Sequence, residues 1–308
     1  MGDWTATPLE MEFRFGEYRL LTVNLRGVSL AGQRADGQSL PPTDTFSGPT
    51  DAALVRSLPV EQPLPRLSLH NGLIRYVPSQ YRRYFVSLKD GTFEQYLQGF
   101  SGKSRNTLKR KIRKCAEAHG GDMVCREFRT RAEIAEFLEL ARPLSERTYQ
   151  ERLMGKGLPS DRAFHDEIFA LADAGNARGY LLFLGGRPAA FLLCPIYDGR
   201  VLYEWVGYEP DLAGLSPGTV LQYLALEKLF AEQRFDLFDF TEGEGGHKEF
   251  WSRSHAQCAD VYYFPRSIKN AALVGCHTAL DSVSRTAVRT LDRLGVKDRL
   301  KRALRRWR

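Results

Sequence analysis

The stretch that decides the fold is "GLSPGTVLQYLALEKLF" at residues 214–230, in which a glycine-rich turn runs straight into an apolar helix. A helix start leaves about four N–H groups without internal partners and carries roughly half a positive charge. Glycine and a small hydroxyl residue beside those amides let an anionic group approach the main chain. The pattern therefore predicts a phosphate-binding turn. The alternative is an ordinary helix N-cap with Pro217 in the first turn.

Composition places the chain among water-soluble globular proteins and indicates an acidic partner. Its 308 residues are 43% apolar and 26% charged, with a formal charge of +7. That charge suits a nucleotide cofactor, a nucleic acid or an anionic membrane surface, and selects none of them. The five cysteines have no CxxC spacing, which predicts neither a disulfide framework nor a metal site. They are Cys115, Cys125, Cys194, Cys258 and Cys276.

The first residues do not show the pattern of a secretory signal peptide. "MGDWTATPLEMEF" has neither a basic n-region nor an apolar h-region. The sequence also has no apolar run that approaches the roughly 18 residues of a membrane span. We therefore expect a cytoplasmic protein.

The order of elements around the turn predicts an α/β fold with a mixed sheet. Residues 177–208 contain three strands, joined at Gly185-Gly186 and at Asp198-Gly199, which are favoured hairpin turns. After the turn come a helix at 219–233, the strand "FDLFDFTEG", the short helix "HKEFWS" and the strand "CADVYYF". The sequence thus predicts strand, hairpin, strand, turn, helix, strand.

This order resembles the core of the GNAT acyltransferase fold, and three motifs resemble one branch of it. They are the basic helix "SGKSRNTLKRKIRK" (101–114), the stretch from Tyr208 to Thr219, and "FDFTEG" (238–243) followed by His247-Lys248 and Trp251. Together they resemble the CelD-type acetyltransferases of cellulose biosynthesis, which are related to the Fem-type peptidoglycan aminoacyltransferases.

The resemblance implies the fold class and a division of the chain. We expect a GNAT-like mixed sheet flanked by helices at residues 101–265. Because Fem-type relatives carry two such units, residues 1–100 are expected to form a partial GNAT-like unit. Residues 266–308 are expected to form a basic helical extension.

The resemblance also implies acetyl-CoA or another acyl-CoA as co-substrate. In such enzymes the loop before the helix holds the pyrophosphate, and a backbone N–H of the splayed fourth strand serves the oxyanion. The matching positions here are Val206, Gly207, Leu215, Ser216, Gly218 and Thr219. The usual Arg or Gln of the loop is missing between Leu212 and Thr219.

Three residues are candidates for the proton transfers that acyl transfer to an amine requires. Glu204 lies among apolar neighbours, which raises a carboxyl pKa and suits a base, or it is a surface residue paired with an arginine. His247 stands where the family has tyrosine and suits the role of the acid that protonates the leaving thiolate. The alternative is a solvent-facing histidine. Asp239 ends a core strand and is a site residue or a cap for the following turn.

Four further residues are candidates for holding the acceptor. They are Arg105 in the basic helix, Arg147 and Tyr149 in "SERTYQER", and Lys248 after His247. The basic helix can bind a phosphorylated acceptor, a nucleotide sugar or the acceptor end of a tRNA. The alternative is a charged helix that only faces solvent.

The leading functional hypothesis is an N-acyltransferase that moves an acyl group, typically acetyl, from acyl-CoA to an amino sugar or small amine, as in polysaccharide biosynthesis. One alternative is a Fem-like transferase that uses aminoacyl-tRNA, and another is a binding module on a degenerate GNAT fold. The amphipathic C-terminus, with Val288, Leu291 and Leu300 opposite basic residues, either contacts an anionic membrane surface peripherally or packs on the body of the protein. The sequence does not assign an oligomeric state.

Overall fold

The computed structural model describes residues 4–16, 18–31, 40–42, 44–148, 157–243 and 245–293. The chain divides into two compact units. The first combines Met1–Arg82 with Ala256–Arg308, and the second is the continuous segment Arg83–His255.

The first unit is a sheet with one long helix against it. Its neighbouring strands run in the order β1-β2-β3-β12-β5, and β4 pairs with β5. β1 and β2 form an antiparallel hairpin, β2 and β3 are parallel, and β3 and β12 are antiparallel. The elements are β1 (Thr5–Phe15), β2 (Tyr18–Ala31), β3 (Ala52–Pro59), β4 (Leu67–His70), the first part of β5 (Leu73–Ser87), most of β12 (Ser254–Pro265) and the C-terminal helix α7 (Ile268–Arg293).

The second unit is a mixed sheet covered by helices on both faces. Its strands run in the order β5-β11-β9-β8-β7-β6, and β10 also pairs with β8. The strands are the end of β5, β6 (Met123–Phe128), β7 (Ala177–Leu184), β8 (Arg187–Tyr197), β9 (Arg200–Leu202), β10 (Trp205–Tyr208) and β11 (Leu237–Asp239). The helices are α1 (Phe93–Gln98), α2 (Gly102–Glu117), α3 (Arg131–Arg147), α4 (Arg162–Asp173), α5 (Pro217–Glu232) and α6 (Gly246–Trp251).

Alternate side chains of β7 and β8 feed two separate cores. Tyr180, Leu182 and Leu192 pack with α1, α2 and α5 on one face. Leu181 and Leu193 pack with α3 and α4 on the other face. A strand buried on both faces is apolar without interruption, because neither set of alternating side chains meets water. This accounts for the unbroken apolar runs of these two strands.

The fourth strand of this unit is split into two parts, and the split positions the candidate site. β8 pairs with β9 through Ile196 and Tyr197, and with β10 through Ala190 to Leu193. β9 also pairs in parallel with β11, whereas β10 has β8 as its sole strand partner among the described residues. The strands therefore separate after β9, and the two residues at the separation are Tyr203 and Glu204.

The predicted α/β architecture with a mixed sheet flanked by helices is confirmed. The division at residues 100 and 265, and the GNAT-like character of the N-terminal part, stay predictions. α7 is helical from Ile268 to Arg293, and residues 294–308 lie outside the described part. None of the described helices combines the length and the apolar character that crossing a bilayer requires.

Candidate functional site

The turn before α5 presents a helix start that its own side chains do not cap. β10 leads into a 3₁₀ helix at Pro210–Leu215, and Ser216 then adopts a left-handed conformation with φ 55° and ψ 46°. Pro217 occupies the first helical position, as expected for a residue without an N–H. The Ser216 side chain makes no capping hydrogen bond. The positive end of a 16-residue helix is therefore not neutralised by a side-chain cap of its own.

At the loop positions predicted to hold a phosphate, the amides of Ser216 and Thr219 are paired inside the turn. The Ser216 N–H donates to Ala213 O at 3.0 Å, and the Thr219 N–H donates to Ser216 O at 3.0 Å. Gly218 lies between them, and a Cβ added there would stand 3.5 Å from Cδ1 of Tyr208, an ordinary contact. The fold therefore tolerates a side chain at Gly218, so a requirement for glycine would have to come from a ligand. Leu215 is half-buried and packs against the core below α5.

Two lysines of the basic helix α2 reach this turn. Lys114 Nζ donates to Gly214 O at 2.9 Å, and Lys111 Nζ lies 3.5 Å from Thr219 Oγ1. These two lysines place positive charge at the turn, which has no Arg or Gln of its own between Leu212 and Thr219. The structure thus joins two motifs that the sequence analysis treated separately.

The open edge of β10 borders the same region. The Glu209 N–H donates to Ala189 O, so every second residue of β10 bonds to β8 and the amides of Val206 and Tyr208 point to the opposite edge. Gly207 is buried, and a Cβ there would lie 2.4 Å from Cε1 of Phe191. Val206 therefore offers the free amide of the predicted pair, and Gly207 is a packing requirement.

Asp239 is a buried carboxylate held by arginine. It is 1% exposed, and its two oxygens accept bonds from Arg83 Nε at 2.9 and 3.0 Å. Arg200 Nη1 stands 3.9 Å away, and the Thr241 N–H donates to Oδ1 at 2.9 Å. Asp239 thus caps the following turn, and its role as a site residue stays a prediction.

Glu204 lies where the fourth strand splits, beside this buried charge. Burial raises the pKa of its carboxyl above the usual value, and the nearby Glu242 carboxylate raises that pKa further. Arg83 and Lys248 act in the opposite direction, while Asp239 adds to the increase. Neighbouring atoms crowd the carboxyl enough to desolvate it in part, but the residue keeps a surface that is open to solvent. Glu204 is therefore a carboxyl with a raised pKa that a substrate can reach.

His247 and Lys248 open the short helix α6 next to Glu204. The Lys248 ammonium donates to Glu242 O at 2.5 Å, and the His247 ring centroid lies 6.1 Å from that of Tyr203. Burial lowers the pKa of both side chains, and the charge of Lys248 lowers that of His247 further. The lowered pKa reduces the fraction of His247 that carries the extra proton at neutral pH. The acid role expected for His247 from its position in the sequence stays a prediction.

Two of the remaining predicted acceptor residues are held by partners within the protein, and the third lies outside the described residues. The Arg105 guanidinium donates to Gln98 O at 2.9 Å and to Phe100 O at 2.7 Å, and so fixes the start of α2. Arg147 pairs with Glu209 at 2.7 Å, next to the end of β10. Tyr149 lies outside the described residues.

The sequence analysis did not single out Arg83, Arg200 or Glu242, and it did not link Lys111 to the turn. A signal exists for Arg83. In "YRRYFVSL" the buried residues Tyr84 and Val86 alternate with less buried ones, which is typical of an inner strand, and an arginine in such a strand needs a partner. In the described part of the chain, no three His, Cys, Asp or Glu residues lie close enough together to hold a metal ion.

Comparison with known proteins agrees with this architecture. Residues 102–249 match the profile of a family described as "Acetyltransferase (GNAT) domain". No curated protein sequence matches the chain. The second unit has the mixed α/β architecture of the GNAT fold.

Three similar solved structures are FemX, the C-terminal domain of a putative lysylphosphatidylglycerol synthetase from Agrobacterium fabrum, and L-PGS from Bacillus licheniformis. FemX is 10% identical with a TM-score of 0.54, and the match covers 87% of this chain and 90% of FemX. The Agrobacterium domain is 11% identical with a TM-score of 0.51, and the coverage is 91% and 89%. L-PGS is 16% identical with a TM-score of 0.50, and the coverage is 86% and 85%. At such low identity these likenesses show the fold alone.

Replacing Arg83 by methionine is expected to destabilise the protein by about 3–5 kcal/mol, because it leaves the Asp239 charge buried without its partner. Urea unfolding of Arg83→Met against wild type measures the loss. The double variant Arg83→Met/Asp239→Leu is the control and should recover most of it, since no unpaired charge remains. A single variant as stable as wild type would contradict this account of the pair.

Proposed function

We propose that the protein is an acyl-CoA-dependent N-acyltransferase. The observation that carries the proposal is the split fourth strand. The split lies at Tyr203 and Glu204, and the open edge of β10 borders the uncapped start of α5. The match of residues 102–249 to an acetyltransferase profile supports it. The substrates would be an acyl thioester, typically acetyl-CoA, and an amine such as an amino sugar or a small metabolite.

In this proposal the donor's phosphates lie at the start of α5. The Gly218 amide and the positive helix end face the pyrophosphate, and Lys111 and Lys114 neutralise it from α2. Thr219 and Ser216 shape the turn rather than donate, because their amides are already paired.

The chemistry requires a base, an oxyanion donor and an acid. Glu204 takes the proton from the acceptor's ammonium, which makes the amine nucleophilic. The amine attacks the thioester carbonyl, and the Val206 N–H at the open edge of β10 stabilises the oxyanion. The C–S bond then breaks, the attacking nitrogen releases its second proton to solvent, and the thiolate takes a proton from an acid.

Lys248 fits the acid role better than His247 does. Its lowered pKa brings the ammonium closer to the pKa of a thiol, which makes it a better proton donor to the leaving thiolate. His247, whose pKa is lowered by burial and by the Lys248 charge, lies against Tyr203, where it borders the reacting groups. Asp239 holds Arg83 and so sets the local charge around Glu204.

A Fem-like transferase using aminoacyl-tRNA is the second candidate. The observation that favours it is the exposed outer side of α2, which carries more cations than the turn requires. The exposed cations are Lys103, Lys109, Arg110 and Arg113. A row of exposed cations is what a nucleic-acid backbone binds, and its contribution is strongly salt-dependent.

Gly218→Glu is expected to weaken CoA binding at least about 10-fold, or about 1.4 kcal/mol, because it adds bulk and like charge at the phosphates. Lys111→Ala/Lys114→Ala should weaken it by a similar factor. Calorimetric titration of CoA into folded protein measures both. Lys109→Ala is the matched control, since it removes one charge on the far side of α2 and should leave CoA affinity unchanged.

The same titration separates the two candidate functions. Wild type that ignores CoA but binds tRNA with a steep salt dependence, further weakened by Lys109→Ala, would overturn the acyl-CoA proposal and establish the alternative.

The rate of acyl transfer is expected to fall as the pH drops through the pKa of Glu204, which lies above the ordinary 4.5. Only the carboxylate can take the proton, so activity is present above that pKa and lost below it. Glu204→Gln should lower kcat about 10²- to 10⁴-fold and remove this acid limb. Glu242→Gln should move the limb to lower pH, because it removes a charge that raises the pKa of Glu204. A pH profile of kcat/KM that is the same in all three proteins would contradict the assignment.

Substitution at the start of α6 tests the acid. Lys248→Met is expected to lower kcat about 10²-fold or more with little change in CoA affinity, because the proton is transferred only in the transition state. His247→Ala should have a smaller effect on kcat. The reverse order, measured with acetyl-CoA and a panel of amines, would return the acid role to His247.

A further inference from the structure

One side chain on α5 is polar, buried and without a hydrogen-bond partner. Gln222 is 3% exposed, and its Nε2 finds no partner among the described residues. Nearly all buried polar groups in proteins are paired, and an unpaired one bears the full penalty of its lost hydration. Such an exception requires an explanation.

Gln222 lies in the middle of the buried face of α5. It follows Gly218 by four residues and therefore stands on the same face, one turn further along the helix. The next residues on that face are Ala225, Leu226 and Leu229, which are completely buried in the apolar core. Gln222 thus marks the boundary between the phosphate turn and the dry interior.

The face that carries Gln222 is turned toward β10. Gly218, at its start, approaches Tyr208, the last residue of β10. In a strand–turn–helix unit the helix runs back along the strand, and four residues of helix cover about 6 Å, which is about two residues of strand. These ideal spacings place Gln222 about level with Val206, whose amide points to the open edge of β10.

We infer that the Gln222 carboxamide binds the arm of the acyl donor, with its NH₂ group donating to a carbonyl oxygen of the pantetheine chain. The inference rests on the proposed function. A chain that runs from phosphates at Gly218 to a thioester at Val206 must pass Gln222, and its amide carbonyls are acceptors of the right chemistry. Ligand binding then satisfies a donor that the free protein leaves unpaired.

This assignment predicts opposite effects on stability and on binding, which a structural role does not. Methionine matches the length of glutamine and has no polar hydrogen to satisfy. Gln222→Met should therefore keep or raise the Tm of the free protein, because a buried unpaired group is removed. The same change should weaken binding of a ligand that has the arm.

The experiment titrates two probes into wild type and Gln222→Met. Coenzyme A carries the arm, and adenosine 3′,5′-bisphosphate has phosphates but no arm. We expect the Kd of coenzyme A to rise about 5- to 10-fold and that of the bisphosphate to stay within about 2-fold. Leu226→Met is the control one turn further, and should alter Tm without altering either Kd.

Each other outcome has a definite meaning. Equal coenzyme A affinity in wild type and Gln222→Met overturns the inference and leaves the proposed function standing. A lowered Tm with both probes weakened alike shows a structural role for the glutamine and also overturns it. Wild type that binds neither probe overturns the proposed function itself.

Discussion

The candidate site depends on one buried ion pair, between Asp239 and Arg83. β11 is only three residues long, and it is held by β9 on one side and β5 on the other. Its last residue carries a carboxylate with almost no access to water. A charge in that position requires a partner, and Arg83 supplies it from β5 with two hydrogen bonds. The charges of this pair then act on the pKa of Glu204 and of Lys248.

The second constraint is geometric, and it is set by β8. This strand is long enough to pair with β9 at one end and with β10 along the middle. β11 pairs with β9, and among the described residues it does not pair with β10. Backbone amides of β10 are left open as a result, in the same place where α5 begins without a cap. An open strand edge and a free helix start are each costly in isolation. Their occurrence side by side supports the ligand site that we propose there.

The sequence predicted the element order of the second unit, because hairpin turns, apolar runs and the glycine-rich turn are local signals. It also selected Glu204, Asp239 and Lys248, which the structure brings together. Arg83 was missed because it stands 156 residues from Asp239 in the chain, and no local pattern reports such a pairing. The internal bonds of the Ser216 and Thr219 amides were missed for another reason. They follow from the left-handed conformation of Ser216, which a non-glycine residue adopts only when the surrounding fold requires it.

The two units differ in how their sheets can be completed during synthesis. The second unit is one continuous segment, so all its strands and helices have left the ribosome once residue 255 has emerged. In the first unit β12 lies between β3 and β5 in the sheet, although almost two hundred residues separate it from β3. Until β12 arrives, β3 and β5 each expose an unpaired edge that another chain can occupy. The sheet of the first unit is therefore completed only after the whole of the second unit has been made.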